Sequence, residues 1–273
     1  MSTRPASLLD QLKSWPLALL PHQLLSRLVR SVTRWQMNGF KNLLIRLFIR
    51  HFKVIMDDAE VREAEGYSDF NHFFTRALKP AARPFPDDSR EIVSPVDGRV
   101  SQAGDITAGR LIQAKGRDYS LAALLGGDSG QQALFRNGRF ATLYLSPRDY
   151  HRIHMPCPGT LFETTYIPGR LFSVAPHTTR AIPGLFTRNE RLVCLFETPA
   201  GPMALIMVGA IFVSCMETVW SGVANPRMDM SVQKTVFDQT GKQADIFNAE
   251  LDVFGGEPRL NTLDEFIGVV GEG

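Results

Sequence analysis

Cysteine is scarce in this chain of 273 residues: Cys157, Cys194 and Cys215 stand far apart, odd in number and without a Cys-x-x-Cys pair. That argues against a disulfide framework and a structural zinc site, and fits a reducing compartment. Long apolar runs are missing too. The longest uninterrupted one, Met203 to Val213, has eleven residues, where a membrane-spanning helix needs about 20; it reads as a buried strand, or two bent at Gly209. No small-residue cleavage site follows a single apolar core near the N-terminus, so no signal peptide is expected. Repeats and low-complexity tracts are absent. What remains, 44% hydrophobic and 21% charged residues, is a globular composition in a chain long enough for one large domain or two small ones.

Acidic residues are nearly absent from the first 56 positions. These hold nine Lys/Arg and only Asp10, a formal +8, while the remainder holds 21 basic and 27 acidic residues, a formal −6. A basic segment on a mildly acidic body points to an anionic partner. Nucleic acid is not expected, because no reader module accompanies the charge. Pro21 suits a helix's first turn, and Leu24, Leu25, Leu28, Val29 and Val32 recur behind it at helical spacing. A second pattern, from about Trp35 to Met56, sets Phe40, Leu44, Leu47, Phe48, Phe52 and Ile55 in one stripe and Asn42, Arg46, Arg50 and Lys53 in the opposite one. Two readings of this amphipathic helix are open. It lies in a membrane interface, or it packs on the body with its arginines solvated. The first implies peripheral attachment to an anionic membrane, at the cytoplasmic face of the cell membrane.

Further along, Ser68 or Asp69 is placed to cap a helix that carries Phe70, Phe73, Phe74 and Leu78 inward until Lys79-Pro80 ends it. From Ile92 short β-branched and aromatic runs alternate with turn residues: Val100, Leu111–Ala114, Phe140–Leu145, Leu161–Ile167, Leu192–Glu197, Ala204–Val213 and Met216–Trp220. Asp118 to Leu125 is an exception, a capped helical turn closed by Gly126-Gly127. The expected fold class is α+β, with N-terminal amphipathic helices followed by a mainly antiparallel barrel or sandwich. Three parts are expected: a basic helical segment (1–60), a β-rich body (61–225) and a divergent C-terminal segment (226–273).

Chemistry concentrates in residues 141–158. An apolar run leads into Ser146-Pro147-Arg148-Asp149-Tyr150-His151-Arg152-Ile153-His154, and Met155-Pro156-Cys157-Pro158 then leaves any regular element. Asp97, in the turn Ser94-Pro-Val-Asp-Gly-Arg, is a candidate partner for His154, the acid fixing the ring tautomer and the ring acting as base. Spacing does not separate this from a structural His-x-x-His pair, and no third ligand presents itself for a metal.

Longer stretches carry a resemblance. Residues 67–84 (Tyr-x-x-Phe-Asn-x-Phe-Phe-Thr-Arg-x-Leu-Lys-Pro-x-x-Arg-Pro), Ser94–Gly98, Gln113–Leu121, Leu145–Cys157, Ile167–Val174, Leu185–Arg191 and Glu217–Trp220 resemble, in the same order, segments of the pyruvoyl-dependent phosphatidylserine decarboxylases of bacterial type. The resemblance implies a proenzyme in which an aspartate and a histidine activate a serine of a Gly-Ser pair. Self-cleavage then leaves a pyruvoyl group, the electron sink for converting phosphatidylserine to phosphatidylethanolamine and CO₂. On the matching positions, Asp97 is the triad acid, His154 the base, and His151 faces the substrate carboxylate or donates the proton after decarboxylation. Arg148 and Arg152 are candidates for the head group. Phosphatidylserine is the implied partner, and a homodimer is compatible with the pattern.

One element of that pattern is not found. Beyond Trp220 the serines are Ser221, after tryptophan, and Ser231, after methionine; neither follows glycine. Ala249-Glu250-Leu251 stands where Leu-Gly-Ser is expected. The alternatives to a competent decarboxylase are therefore an inactive or truncated family member that binds membrane lipid, a frame-shifted product, a large processed chain alone, or a hydrolase using the Asp/His pair with a nucleophile such as Ser214.

Overall fold

A computed structural model of the protein describes residues 6–86, 91–114, 117–211, 213, 216–225, 230–237, 243–244 and 265–270. Three helices come first, α1 (Leu8–Ala18), α2 (His22–Thr33) and α3 (Asn38–Phe52), then a 3-10 turn (Ala64–Gly66) and the short α4 (Phe70–Phe74). The body runs through β1 (Arg99–Asp105), β2 (Arg110–Ala114), β3 (Arg117–Ser120), α5 (Leu121–Leu124), α6 (Ser129–Leu134), β4 (Arg139–Tyr144), β5 (Gly159–Ile167), α7 (Pro176–Ala181), α8 (Leu185–Arg188), β6 (Arg191–Thr198) and β7 (Gly201–Val208). It closes with β8 (Glu217–Thr218), β9 (Gly222–Val223), β10 (Gln233–Val236), β11 (Gln243–Ala244) and β12 (Glu265–Val270).

The α+β expectation holds. One antiparallel sheet takes the order β1-β4-β12-β7-β6-β5-β10, with β11 also on β5. That path is open, so of the two shapes expected the barrel is not formed among the described strands. Successive side chains of a strand point to opposite faces, and here both faces are covered. Val193, Leu195, Ala204, Ile206 and Val208 join Leu121, Leu124, Phe135 and Phe186 in one core. Leu192, Cys194, Phe196, Met203, Leu205 and Met207 join Val96, Leu145 and Met216 in the other. Two-sided burial explains why residues 203–208 are continuously apolar. The strand ends before Gly209, where an added Cβ would meet Leu171 at 3.1 Å and the Val213 carbonyl oxygen at 3.2 Å.

The N-terminal helices pack on this body with one side only. The sequence reading passed over α1, because Pro16 falls in its last turn. Its start carries a reciprocal cap nonetheless: the Asp10 amide donates to Ser7 Oγ (3.1 Å) and the Ser7 amide to Asp10 Oδ2 (3.0 Å). Asp10 also accepts from Arg180 of α7 at 2.8 and 3.2 Å, which with the cap holds its carboxyl well below the usual range.

The α3 stripe needs correction. Its inward seam is Lys41, Ile45 and Phe48, with Ile45 fully buried against Tyr67, Phe73 and Phe74, whereas Leu47 and Ile55 are exposed. The helix is also shorter than expected, ending at Phe52 because Lys53 turns left-handed (φ 56°); Ile55 therefore drops off the helical wheel. Arg46 and Asn42 face Glu65. Asp69 caps α4, accepting from the His72 amide at 2.8 Å, and α4 stops at Phe74 rather than at Lys79. The helical turn expected from Asp118 begins later, at Leu121, where Ser120 Oγ accepts from the Ala123 amide.

A buried polar clamp ties the segment 168–190, which carries α7 and α8, to the residue that follows β7. Asn189, with no solvent exposure, accepts from the Phe172 amide (3.0 Å) and donates to the carbonyls of Phe172 (2.9 Å) and Gly209 (2.8 Å). Asn189→Ala orphans three buried backbone groups, so it should lower unfolding free energy by about 3 kcal/mol or more. Urea unfolding measures this; a loss within about 0.5 kcal/mol contradicts the clamp.

Candidate functional site

Two loops that are distant in sequence are laced into one wall. In the first, Ser94 Oγ donates to the Val96 carbonyl at 2.8 Å. Gly98 presses this turn onto the end of β4, where any Cβ would stand 2.8 Å from the Tyr144 carbonyl oxygen. That approach explains the glycine after Asp97. In the second loop, the Ser146 amide and hydroxyl both donate to Asp149 Oδ2 at 2.7 Å. The Val93 amide then donates to the Pro156 carbonyl and the His154 amide to the Pro95 carbonyl, both at 2.9 Å. Asp97 and His154 thereby come to line one cavity of about 890 Å³, together with Tyr150, Arg152, Arg83, Lys79 and His72.

Within that cavity the expected direct Asp97–His154 pair is not formed. Arg83 grips the Asp97 carboxylate with two bonds, Nε to Oδ1 at 2.8 Å and Nη2 to Oδ2 at 2.5 Å, and reaches Asp58 Oδ2 at 2.9 Å. A guanidinium fork matches a carboxylate edge better than a single imidazole nitrogen does. These bonds raise the pKa of Arg83. His154 instead shares a hydrogen bond of 2.9 Å between Nε2 and the Tyr150 hydroxyl, with the two rings stacked at 5.6 Å. Burial lowers the His154 pKa, Arg152 lowers it further, and the Asp97 field only partly opposes them; the ring is a neutral base near pH 7. Burial pushes Tyr150 up to about 12, so it remains a phenol.

Of the other expected site residues, Arg152 lines the cavity, its Nε donating to the Thr75 carbonyl at 2.9 Å. His151 does not line it. It is buried against the Phe74 ring at 4.1 Å, and Nδ1 lies 2.8 Å from the Asp149 carbonyl. A carbonyl only accepts, so Nδ1 carries the proton. Arg148 is exposed beside Asp149 at 3.6 Å and also lies outside the cavity lining. Ser214 and Ala249–Leu251 fall outside the described residues.

Sequence reasoning missed Arg83, Lys79, His72 and the bonded role of Tyr150. Lys79 reads in the sequence only as a helix stop, yet it and Arg83 both stand in the Lys-Pro-x-x-Arg-Pro stretch that carries the resemblance. Among the described residues no group of three or more His, Cys, Asp or Glu is placed to hold a metal ion. With Lys79 and Arg83 from one segment, Arg152 from another, a neutral imidazole and a phenol, the cavity can bind a zwitterionic or anionic head group and move a proton at His154.

Residues 70–247 match the family model described as phosphatidylserine decarboxylase, and residues 12–53 match a model described as PSD. Among curated proteins, the chain is similar to the phosphatidylserine decarboxylase proenzyme of Alkalilimnicola ehrlichii, 53% identical over 86% of this chain and 81% of the relative. The Bordetella pertussis proenzyme is 46% identical over 93% and 89%. That of Pseudomonas aeruginosa is 53% identical over 76% and 72%.

Burial holds the His151 pKa down at about 4, the Asp149 carbonyl bond resisting and the Arg76 charge assisting. The unfolded ring takes up its proton near pH 6.5 and the folded ring near 4. Stability is therefore full above about pH 6.5, falls as pH drops through that window, and stops falling from this cause near 4. Urea unfolding at pH 6.5 and pH 5 should show a His151 contribution of about 2 kcal/mol to the loss. His151→Phe should remove that part of the slope; an unchanged slope contradicts the assignment.

Proposed function

The chain belongs to the phosphatidylserine decarboxylase family, and we propose that it recognises phosphatidylserine at a membrane surface without generating a pyruvoyl group from residues 1–273. The reaction for which its cavity is arranged is the family's decarboxylation of that lipid to phosphatidylethanolamine and CO₂. The observation that carries this reading is the single cavity lined by Asp97, Tyr150, Arg152 and His154. Arg152 and Lys79 supply positive charge for the phosphate and carboxylate of the lipid, His154 supplies a neutral base, and Arg83 holds Asp97 in place beside it.

A pyruvoyl group does not fit the residues present. It derives from a serine at a cleavable peptide bond, and this chain has no glycine–serine pair at any position. The serines that line the cavity, Ser68 and Ser94, follow Tyr67 and Val93, and their hydroxyls are bonded to Asp69 and to the Val96 carbonyl. Ser221 and Ser231 do not line it; the Ser221 amide is bonded to Thr218 Oγ1 in the turn between β8 and β9. Strand β12, between β4 and β7, contains no serine. Asp97 and His154, which this reading assigns to acid–base work, line the cavity, and residues 1–273 hold no glycine–serine pair from which the electrophile would arise.

Attachment is peripheral in this reading. Among the described residues no helix is long and apolar enough to cross a membrane. Leu8, Leu12, Trp15 and Leu19 of the N-terminal segment, Leu24 and Leu28 of α2, and Leu43 and Leu47 of α3 are exposed. Apolar surface of that extent beside basic residues is suited to a bilayer interface, and the cytoplasmic leaflet supplies the anionic charge.

Mass spectrometry of the purified protein tests the proposal, paired with a CO₂-release assay on carboxyl-labelled phosphatidylserine. One intact chain of 30.4 kDa and no labelled CO₂ are expected. Two chains, the smaller blocked by a pyruvoyl group, would overturn it.

A further inference from the structure

Two carboxylates line the Asp97 cavity among the described residues, and they are differently engaged. Asp97 is committed, since the Arg83 fork occupies both of its oxygens. Glu60 is exposed, and its side chain forms no ion pair and no hydrogen bond.

Backbone bonds fix where Glu60 stands. Its amide donates to the Ala77 carbonyl at 3.0 Å and the Lys79 amide donates to the Asp58 carbonyl at 2.8 Å. These close an antiparallel bridge between Ala59, which is fully buried, and Leu78. Glu60 and Lys79 lie diagonally across that bridge, a separation that long side chains can reach over. They do not pair with each other. Lys79 Nζ donates instead to the Asp57 carbonyl at 2.7 Å and keeps further N–H groups, because an ammonium has three donors. The charge of Glu60 also reaches Arg152 in the cavity wall, whose pKa burial lowers and the fields of Tyr150 and Glu60 oppose.

Opposite charges held close without neutralising each other complement a ligand that carries both signs. A serine head group does so: its ammonium and carboxylate share one carbon, and its phosphate hangs from the next. An ammonium drawn out of water into such a cavity needs an anion beside it, and Glu60 is the lining carboxylate that no guanidinium holds. We infer that Glu60 binds the ammonium of the lipid head group and makes the cavity selective for a zwitterion with a primary amine, an assignment that rests on the phosphatidylserine reading of this site. Lys79 then meets the adjoining carboxylate or phosphate. A primary ammonium offers Glu60 both charge and N–H donors, whereas an N-acylated amine offers no charge.

The test is calorimetric titration of the full chain with monomeric dihexanoyl phosphatidylserine and with its N-acetyl derivative. The derivative keeps the carboxylate and phosphate and carries an acetyl group in place of the ammonium charge. Wild type, Glu60→Gln and the charge-matched Glu63→Gln are compared; Glu63 is exposed and does not line the cavity. Wild type and Glu63→Gln should bind the free amine about tenfold more tightly than the N-acetyl lipid, and Glu60→Gln should bind the two alike. A preference that survives Glu60→Gln, as rejection of the acetyl bulk alone would, overturns the role of Glu60. So does an equal loss in Glu63→Gln, or equal wild-type affinity for the two lipids; in each case phosphatidylserine still binds and the reading of the cavity stands. If the wild type binds neither lipid, that reading fails and the Glu60 assignment falls with it.

Discussion

Strands β6 and β7 present apolar side chains to both sides of the sheet, and each side is sealed by its own cluster of helices and loops. A sheet buried on both faces leaves its polar chemistry nowhere to go but the margins. That is where it stands: Asp97 precedes the edge strand β1, and Tyr150 and His154 follow β4 in the proline-broken stretch before β5. Rigid strands fix the ends of these loops, and the two backbone bonds between Val93–Pro95 and His154–Pro156 fix the loops to each other.

Charge at this margin is arranged to hold groups in one protonation state. Arg83 neutralises Asp97 and Asp58 together, Arg152 and Arg76 are buried cations whose pKa values fall through desolvation, and His151 and His154 are kept neutral by the same burial. His151, packed between Phe74 and the Asp149 carbonyl, stands behind the wall rather than in it. Its place is suited to holding the 149–154 loop in shape, whereas His154 is the ring that meets the cavity.

Much of this was legible in the residues. Turn chemistry and β-branched runs located the main strands to within a few positions, and the dense polar stretch 146–154 marked the site. That Asp97 does not pair directly with His154 was not legible, because the competitor for that carboxylate, Arg83, lies 14 residues upstream in a segment whose prolines read only as a helix stop. The α3 seam was misjudged because hydrophobicity alone ranks Leu47 with Ile45, while only packing against Tyr67 and Phe73 tells them apart. The first helix hid behind Pro16, although its Ser7–Asp10 cap was in plain view.

Asp97 and His154 line one cavity, while residues 1–273 hold no glycine–serine pair; the proposed function rests on that contrast. The most direct measurement is calorimetric titration of the intact chain with monomeric short-chain phosphatidylserine, and with phosphatidylcholine of the same chain length. Phosphatidylserine should bind at least tenfold more tightly, a difference of about 1.4 kcal/mol, and Arg152→Gln should erase the preference while the chain stays uncleaved. Equal affinity for the two lipids, or a preference that survives Arg152→Gln, would contradict the account.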